Sequence, residues 1–363
     1  MNAAIRNAIL TIAACAFSIS ATAQKPPKKP APAYHYAQRA QAMQFADDLA
    51  ERRGLDREWV RQAIGQARLL PQVPRLVLPP PKGTPKNWAA YRARFVEPIR
   101  IRAGVRFWQA HAEALARAER EYGVPADLIV GIIGVETLYG QQMGSLRVID
   151  SLATLAFDFP AAHPRAAERQ AFFARELEQF LTLMDRTGID PHAPRGSYAG
   201  AMGLGQFMPS SWARYAVDFD GDGRIDLWNS PVDAIGSVAH YFVGHGWKTG
   251  MPTHYAVAFD TDPARVQLDT LLAPDILPSF SAARMAALGA VLDAEGSQHA
   301  GPLALVELQN GAAPPSYVAG TENFYAVTRY NWSSYYALAV IELGRAVAAA
   351  LPASARAASR ESP

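Results

Sequence analysis

From Leu128 to Val135 every residue is apolar or glycine, and the next one is an acid, Glu136. Leu128, Ile129, Val130, Ile132, Ile133 and Val135 cover nearly every face of a helix, so other elements must enclose it. That demands a large, multi-helix core. Tyr122-Gly123-Val124 breaks the preceding pattern, Pro125 suits a first helical position, and Asp127 falls in the first turn, where the helix dipole favours negative charge. Gly140 offers a stop. The same enclosure acts on Glu136. Apolar neighbours one turn back and the negative end of its own helix dipole both oppose ionisation, which raises its pKa and leaves an acid able to donate a proton near neutrality. The alternative is a side chain that escapes the core at a frayed helix end.

The chain has 363 residues, half of them hydrophobic, enough for a large core with appended lobes. Lysine and arginine number 35 against 33 acids, a net charge of +2. That balance argues against nucleic acid as a partner. At the N-terminus, Arg6, the apolar run from Ala8 to Ile19, and Ala21-Thr22-Ala23 before Gln24 form the pattern of a signal peptide over residues 1–23. Export to the periplasm is the expectation. The single cysteine, Cys15, ends Ile12-Ala13-Ala14-Cys15, which also resembles a lipoprotein box. Outer-membrane attachment through a lipid is therefore the alternative, although the run stays apolar after Cys15. Residues 24–33, rich in Pro and Lys, read as a linker, 34–351 as the folded region and 352–363 as a tail. A monomer is expected, and no segment after the signal is long and apolar enough to span a membrane.

Leu55 to Leu69 and Trp88 to Arg120 carry apolar residues at three and four spacings, with the Pro-rich 71–85 stretch between them as a loop. Helices are also expected over Leu146–Phe157, Ala166–Met184, Pro231–Gly244 and Ser334–Leu351. Ala304–Gln309 and Phe324–Thr328 read as short strands. The predicted class is mainly α, of α+β type, with a small C-terminal β element and no internal repeat.

Three further segments carry chemistry. Ser197 to Ser211 (SYAGAMGLGQFMPSS) is too glycine-rich for a helix core, and its glycines let a backbone or ligand approach closely. Its amide and apolar surfaces suit a sugar bearing an acetamido group, or else Gln206 simply satisfies loop carbonyls in a tight packing turn. No preceding strand or properly spaced acid makes it a dinucleotide site. Asp218, Asp220, Asp222 and Asp226 occupy positions one, three, five and nine of an EF-hand-like loop with Gly223 at six, so a hard cation or a solvated acidic turn is indicated. The Arg224 carbonyl would be the position-seven ligand. Position twelve is Asn229, which makes Asp233 the better closing ligand in an enlarged loop, 218–233. Finally, Tyr325 and Tyr330 in NFYAVTRYN, with Tyr241, can line a saccharide groove or fill a core. No zinc motif or serine elbow is present, and the scattered histidines read as packing or surface residues.

Taken in order, GVPADLIVGIIGVETLYG, SYAGAMGLGQFMPSS, the acidic loop with LWNSPVDAIGSVAHYF, and NFYAVTRYN resemble the membrane-bound lytic murein transglycosylase B family of the lysozyme-like superfamily. The resemblance runs from about Tyr34 to the closing helix. It implies a lysozyme-like catalytic core with an additional helical lobe, acting on peptidoglycan glycan strands. The bond cut would be the β-1,4 link from N-acetylmuramic acid to N-acetylglucosamine, leaving 1,6-anhydromuramoyl ends. It places the single acid/base on Glu136, and glycan contacts on Ser197, Gln206, Phe207, Tyr241, Tyr325 and Tyr330. A structural Ca2+ would be held by Asp218, Asp220, Asp222, Arg224 through its carbonyl, and Asp233, with no organic cofactor. Arg165 and Arg169 are candidate basic groove residues. Competing readings are a hydrolytic muramidase, in which water replaces the sugar hydroxyl, and a non-catalytic peptidoglycan-binding protein.

Overall fold

The computed structural model describes residues 35–81 and 83–352. The expected signal peptide, Cys15, the linker and nearly all of the tail lie outside the described residues. Helices dominate, as expected, and the apolar segment is the central one. It spans Ala126–Thr137, with all but Asp127 and Glu136 counted among its buried positions.

The central helix packs along the closing helix, Ser334–Ala350, with backbone brought against backbone. A Cβ on Gly344 would fall 2.0 Å from the Asp127 carbonyl oxygen, and one on Gly131 would fall 2.3 Å from that of Val340. These two glycines therefore serve helix–helix approach, and a methyl at either would force the pair apart. Both ends of the central helix differ in detail from expectation. Pro125 is its N-cap rather than its first helical residue, and the helix stops before Gly140, at Leu138 and Tyr139, which have φ of 50° and 56°. Two successive non-glycine residues in the left-handed region store strain beside Glu136. The reversal is held by Thr137, whose hydroxyl donates to the Leu204 carbonyl (2.9 Å) and accepts from the Gly140 amide (3.0 Å).

The Trp88–Arg120 stretch forms three helices, Trp88–Phe95, Pro98–Ala110 and Ala112–Tyr122. The first break arises because Glu97 caps the second helix, accepting from the amides of Ile99 and Arg100 at 2.6 Å ahead of Pro98. Leu55–Leu69 shortens to Arg57–Gly65, capped by Asp56, and the Pro-rich loop contains one turn of helix at Val73–Leu76. Val148–Phe157, Ala166–Thr187 and Pro231–Gly244 lie close to their expected spans.

The β element is an antiparallel four-stranded sheet of β1 (His254–Phe259), β2 (Ala290–Leu292), β3 (Ala304–Asn310) and β4 (Ala313–Gly320), in spatial order β2-β1-β4-β3. Leu305 faces Ala319 across one ladder and Val257 faces Leu292 across another. One face covers a small core of its own, including Tyr255, Leu271, Met285 and Leu303. The second expected strand is a correction: Phe324–Thr328 lies in a helix, Glu322–Thr328. Thr321 caps it, its hydroxyl accepting from the amides of Asn323 and Phe324, and Phe324, Ala326 and Val327 turn into the main core. A five-residue apolar and aromatic run fits either period; the cap decides for helix.

Candidate active site

Glu136 occupies the last turn of the central helix and is half-buried, reachable by solvent yet packed closely on its other sides. Burial pushes its carboxyl up to about 7 from 4.5. The opposing influence is a hydrogen bond donated to Oε1 by the hydroxyl of Tyr336 on the closing helix. Tyr336 is itself buried, and its hydroxyl is held well above the usual tyrosine range by burial and then by the Glu136 charge, so it remains a neutral donor. The close approach of the two helices places acid and donor together.

An aromatic wall continues from that pair. The ring of Tyr330 stacks on Tyr336 with centroids 6.4 Å apart, and Tyr241 lies 4.7 Å from Tyr330. Phe207 closes the back at 5.8 and 5.9 Å from Tyr241 and Tyr330. The Tyr330 hydroxyl donates to the Gly205 carbonyl (2.5 Å) and that of Tyr241 to the Arg329 carbonyl (2.7 Å). Phe207 and Tyr241 are buried, so they shape the wall from behind. Tyr325 stands apart from this stack. Its ring meets Trp332 edge-on at 5.9 Å, and Arg329 lies over both rings.

The glycine-rich segment is a compact loop, tied by bridges from Met202 to Gly196 and to Phe207. Ser197 is half-buried and its Oγ accepts from the amides of Ala199 (3.2 Å) and Ala201 (3.0 Å), so the hydroxyl keeps its own proton to donate. Gln206 has φ of 51°, and its amide nitrogen donates to the carbonyls of Gly203 (2.9 Å) and Met143 (3.3 Å). Its donor thus satisfies loop carbonyls, and its oxygen is the atom left to accept from a ligand.

The carboxylates of Asp218, Asp220 and Asp222 are exposed, with one oxygen from each within 4.8 Å of the others. Asp218 accepts from the amides of Gly221, Asp222 and Gly223, which wraps the turn around it, and Gly223 has the φ of 88° that such a turn requires. Asp233 is buried and is not one of the cluster. Its carboxylate instead accepts from the amides of Phe219, Asp220 and Asp226, closing the loop from behind. Arg224 donates its amide to Asp222. Three oxygen donors without nitrogen or sulfur make a donor set for a hard cation. Of the basic candidates, Arg165 pairs with Glu168 at the surface, and Arg169 is buried over the rings of Phe172 and Phe173.

Sequence reasoning missed two residues at the acid. Tyr336 sits 200 positions from Glu136, and inside a helical pattern it is one more apolar position. Tyr91 was the other. Burial and then the Glu136 charge raise its hydroxyl above the usual range, so Tyr91 lies within electrostatic reach of the acid. Neither carries a local motif; only the folded chain assembles them.

Residues 37–345 match the family model described as transglycosylase SLT domain. Over 323 residues the chain is 42% identical to membrane-bound lytic murein transglycosylase B of Escherichia coli (strain K12), covering 87% of this chain and 84% of that protein. Among solved structures it is similar to the Escherichia coli lytic transglycosylase Slt35 in complex with calcium, at 41% identity and a TM-score of 0.74, covering 87% of this chain and 95% of that one. It is also similar to the lytic transglycosylase SltB1 of Pseudomonas aeruginosa, at 40% identity and a TM-score of 0.76, covering 87% and 99%. These matches span the central helix, the glycine-rich loop, the acidic loop and the closing helix, and so the lysozyme-like chain belongs to the transglycosylase SLT family.

Proposed function

We propose that this chain is an exported lytic transglycosylase, acting as a monomer, that cleaves the β-1,4 bond between N-acetylmuramic acid and N-acetylglucosamine in peptidoglycan and leaves 1,6-anhydromuramoyl ends. The observation that carries the reading is Glu136: one half-buried carboxyl with a pKa near 7 and one tyrosine donor. Glycosidases that use water commonly need two carboxyls. Here Glu136 in its protonated form gives its proton to the leaving glycosidic oxygen as the C1–O bond breaks. The resulting carboxylate then takes the proton from the muramoyl C6 hydroxyl as that oxygen bonds to C1. Atoms balance without water, and the acid is regenerated. Tyr336 steadies the carboxylate between the two steps, because a hydrogen bond to the charged form favours it.

Ser197, Gln206, Phe207, Tyr241, Tyr325 and Tyr330 form the glycan-binding set in this reading. Tyr330 and Tyr325 offer ring faces, Ser197 and the Gln206 oxygen offer polar contacts, and Phe207 and Tyr241 support the wall. Asp218, Asp220, Asp222 and the Arg224 carbonyl hold a structural Ca2+, with Asp233 bracing the loop. A bound cation relieves the mutual repulsion of the three clustered carboxylates and locks the loop. Slt35, solved with calcium, is consistent with this use of the loop. The site of action is the periplasm, reached through the N-terminal signal; no described helix is long and apolar enough to cross a membrane.

The test is a digest of purified sacculi read by mass spectrometry. Anhydro ends lack one water relative to reducing ends. Their accumulation is the expected result, and reducing-end fragments alone would replace the transglycosylase with a muramidase.

A further inference from the structure

A second cleft, of about 220 Å³, lies between the helix Arg57–Gly65 and the turn that follows the helix Ala166–Thr187, and shares no lining residue with the acid or its aromatic wall. Trp59, Gln62 and Gln66 form one side, because positions three and four apart share a face of a helix. Asp190, Pro191 and His192 form the other, and the buried Ala63 and Pro191 supply a small apolar floor. The frame is fixed. Asp56 caps the helix by accepting from the Trp59 amide at 2.7 Å, and the Asp190 carboxylate closes the facing turn by accepting from the His192 amide at 2.9 Å. Arg147 ties the two sides together: its guanidinium donates to the Gln66 carbonyl at 3.4 Å and faces His192 Nδ1 at 3.5 Å.

The frame leaves a distinct set of groups unused. The side-chain amides of Gln62 and Gln66 and the indole N–H of Trp59 make no hydrogen bond with any described residue, and the Trp59 ring meets no other aromatic ring. Burial, and then the Arg147 charge, hold the His192 imidazole below its usual range, so it is neutral. With Nδ1 turned to a guanidinium, its proton sits on Nε2. No lysine or arginine lines the cleft, and Arg147 is already committed to Asp150 through Nε (2.7 Å) and Nη2 (2.8 Å). An anion therefore finds no cation here, and a lipid finds too little apolar surface. One ring, two carboxamides that each donate and accept, a carboxylate and a neutral imidazole match a neutral ring rich in hydroxyls, whose C–H face packs on the indole while its polar rim is hydrogen-bonded.

We propose that this cleft is a second saccharide site, holding an N-acetylhexosamine unit of a glycan strand outside the catalytic groove. The choice of that sugar rests on the peptidoglycan reading, whereas the saccharide class rests on the cleft alone. His192 and Ser197 of the glycine-rich loop are five positions apart, so their Cα atoms lie within about 18 Å of each other. One glycan strand can occupy both places. Engagement of the helical lobe then raises affinity for the polymer without changing the chemistry at Glu136, as linked sites do.

The first measurement titrates the full chain with triacetylchitotriose and follows backbone amide resonances. Residues 59–66 and 190–192 are expected to shift in addition to those of the catalytic groove. Trp59→Ala should abolish the first set and spare the second. Gln62→Ala combined with Gln66→Ala, both at exposed side chains, should do the same with an unchanged melting temperature. The second measurement is sedimentation with purified sacculi, in chains that also carry Glu136→Gln to block cleavage. Either variant should weaken this binding by about tenfold, the scale of a lost ring contact or a pair of amide hydrogen bonds, and Trp59→Phe should retain most of it. With Glu136 intact, kcat/KM on a short soluble fragment should not change. Absent shifts at 59–66 and 190–192, or variants that hold sacculi as tightly as their parent, overturn the second site. A chain that shifts at these residues yet cleaves no sacculi overturns the transglycosylase reading and leaves the second site standing.

Discussion

In the proposed reaction Glu136 faces two demands on one carboxyl: it must hold a proton near neutral pH and release it within the same turnover. With its pKa near 7, the alkaline limb of the pH–rate profile should fall near that value, since the first step needs the protonated form. Tyr336→Phe removes a hydrogen bond that lowers this pKa, so the limb should move to higher pH while kcat drops; an unmoved limb would take Tyr336 out of the mechanism. Glu136→Gln should abolish cleavage yet keep the fold and glycan binding, as read by product release and by a binding isotherm on sacculi. Stability carries a linked signature. The folded carboxyl binds its proton more tightly than the unfolded one, so its contribution is fully present below pH 4.5 and is lost as pH rises through about 7. Glutamine does not titrate, and the variant should therefore gain on the wild type by an order of ~2 kcal/mol between pH 5 and pH 8, measured by thermal melts across that range. The acid was legible because its desolvating neighbours lie within one helical turn of it in the chain. Tyr336 was not, because its contact depends on how two helices distant in sequence pack.

The pairing of the central and closing helices is what delivers that contact. Gly344→Ala puts a methyl 2.0 Å from the Asp127 carbonyl oxygen, inside any tolerable separation. The expected cost is ~1–3 kcal/mol in denaturant unfolding, with a loss of activity beyond what the stability change explains, because the Tyr336–Glu136 contact opens as the helices part. Helix existence was well read from apolar periodicity, as with Ala166–Thr187 and Pro231–Gly244. The misread Phe324–Thr328 shows the limit of that signal. Asn323, fully buried just ahead of it, donates to the carbonyls of Lys248 and Met251 at 2.8 Å and anchors the turn from outside the segment. Together with the Thr321 cap, this tertiary anchor fixes the segment as helix.

Across the whole molecule, the sheet packs Ala304, Val306 and Leu308 into the main helical core, and Asp233 ties the acidic loop to the helix Pro231–Gly244. Calcium removal by a chelator should lower the melting temperature, by ~2.7 kcal/mol of lost stabilisation if the ion is at a hundredfold its Kd, while leaving kcat on short fragments little changed. An unshifted melt after confirmed ion removal would reduce the loop to a solvated turn. The Asp218 spacing was readable because the turn is local: its three acids and the glycine that turns them share one short segment. Asp233 was readable as a partner of that loop, but only the fold assigns its carboxylate to the amides of Phe219, Asp220 and Asp226. By itself the amino-acid order determined the buried central helix, the raised acid at its end, and the acidic turn, since each arises from residues within a few positions of one another. Tertiary structure alone decided which hydroxyl reaches Glu136, and which aromatic rings form the wall and which only support it. Those outcomes depend on helix approach distances and on side chains far apart in the chain, whose meeting no local period encodes.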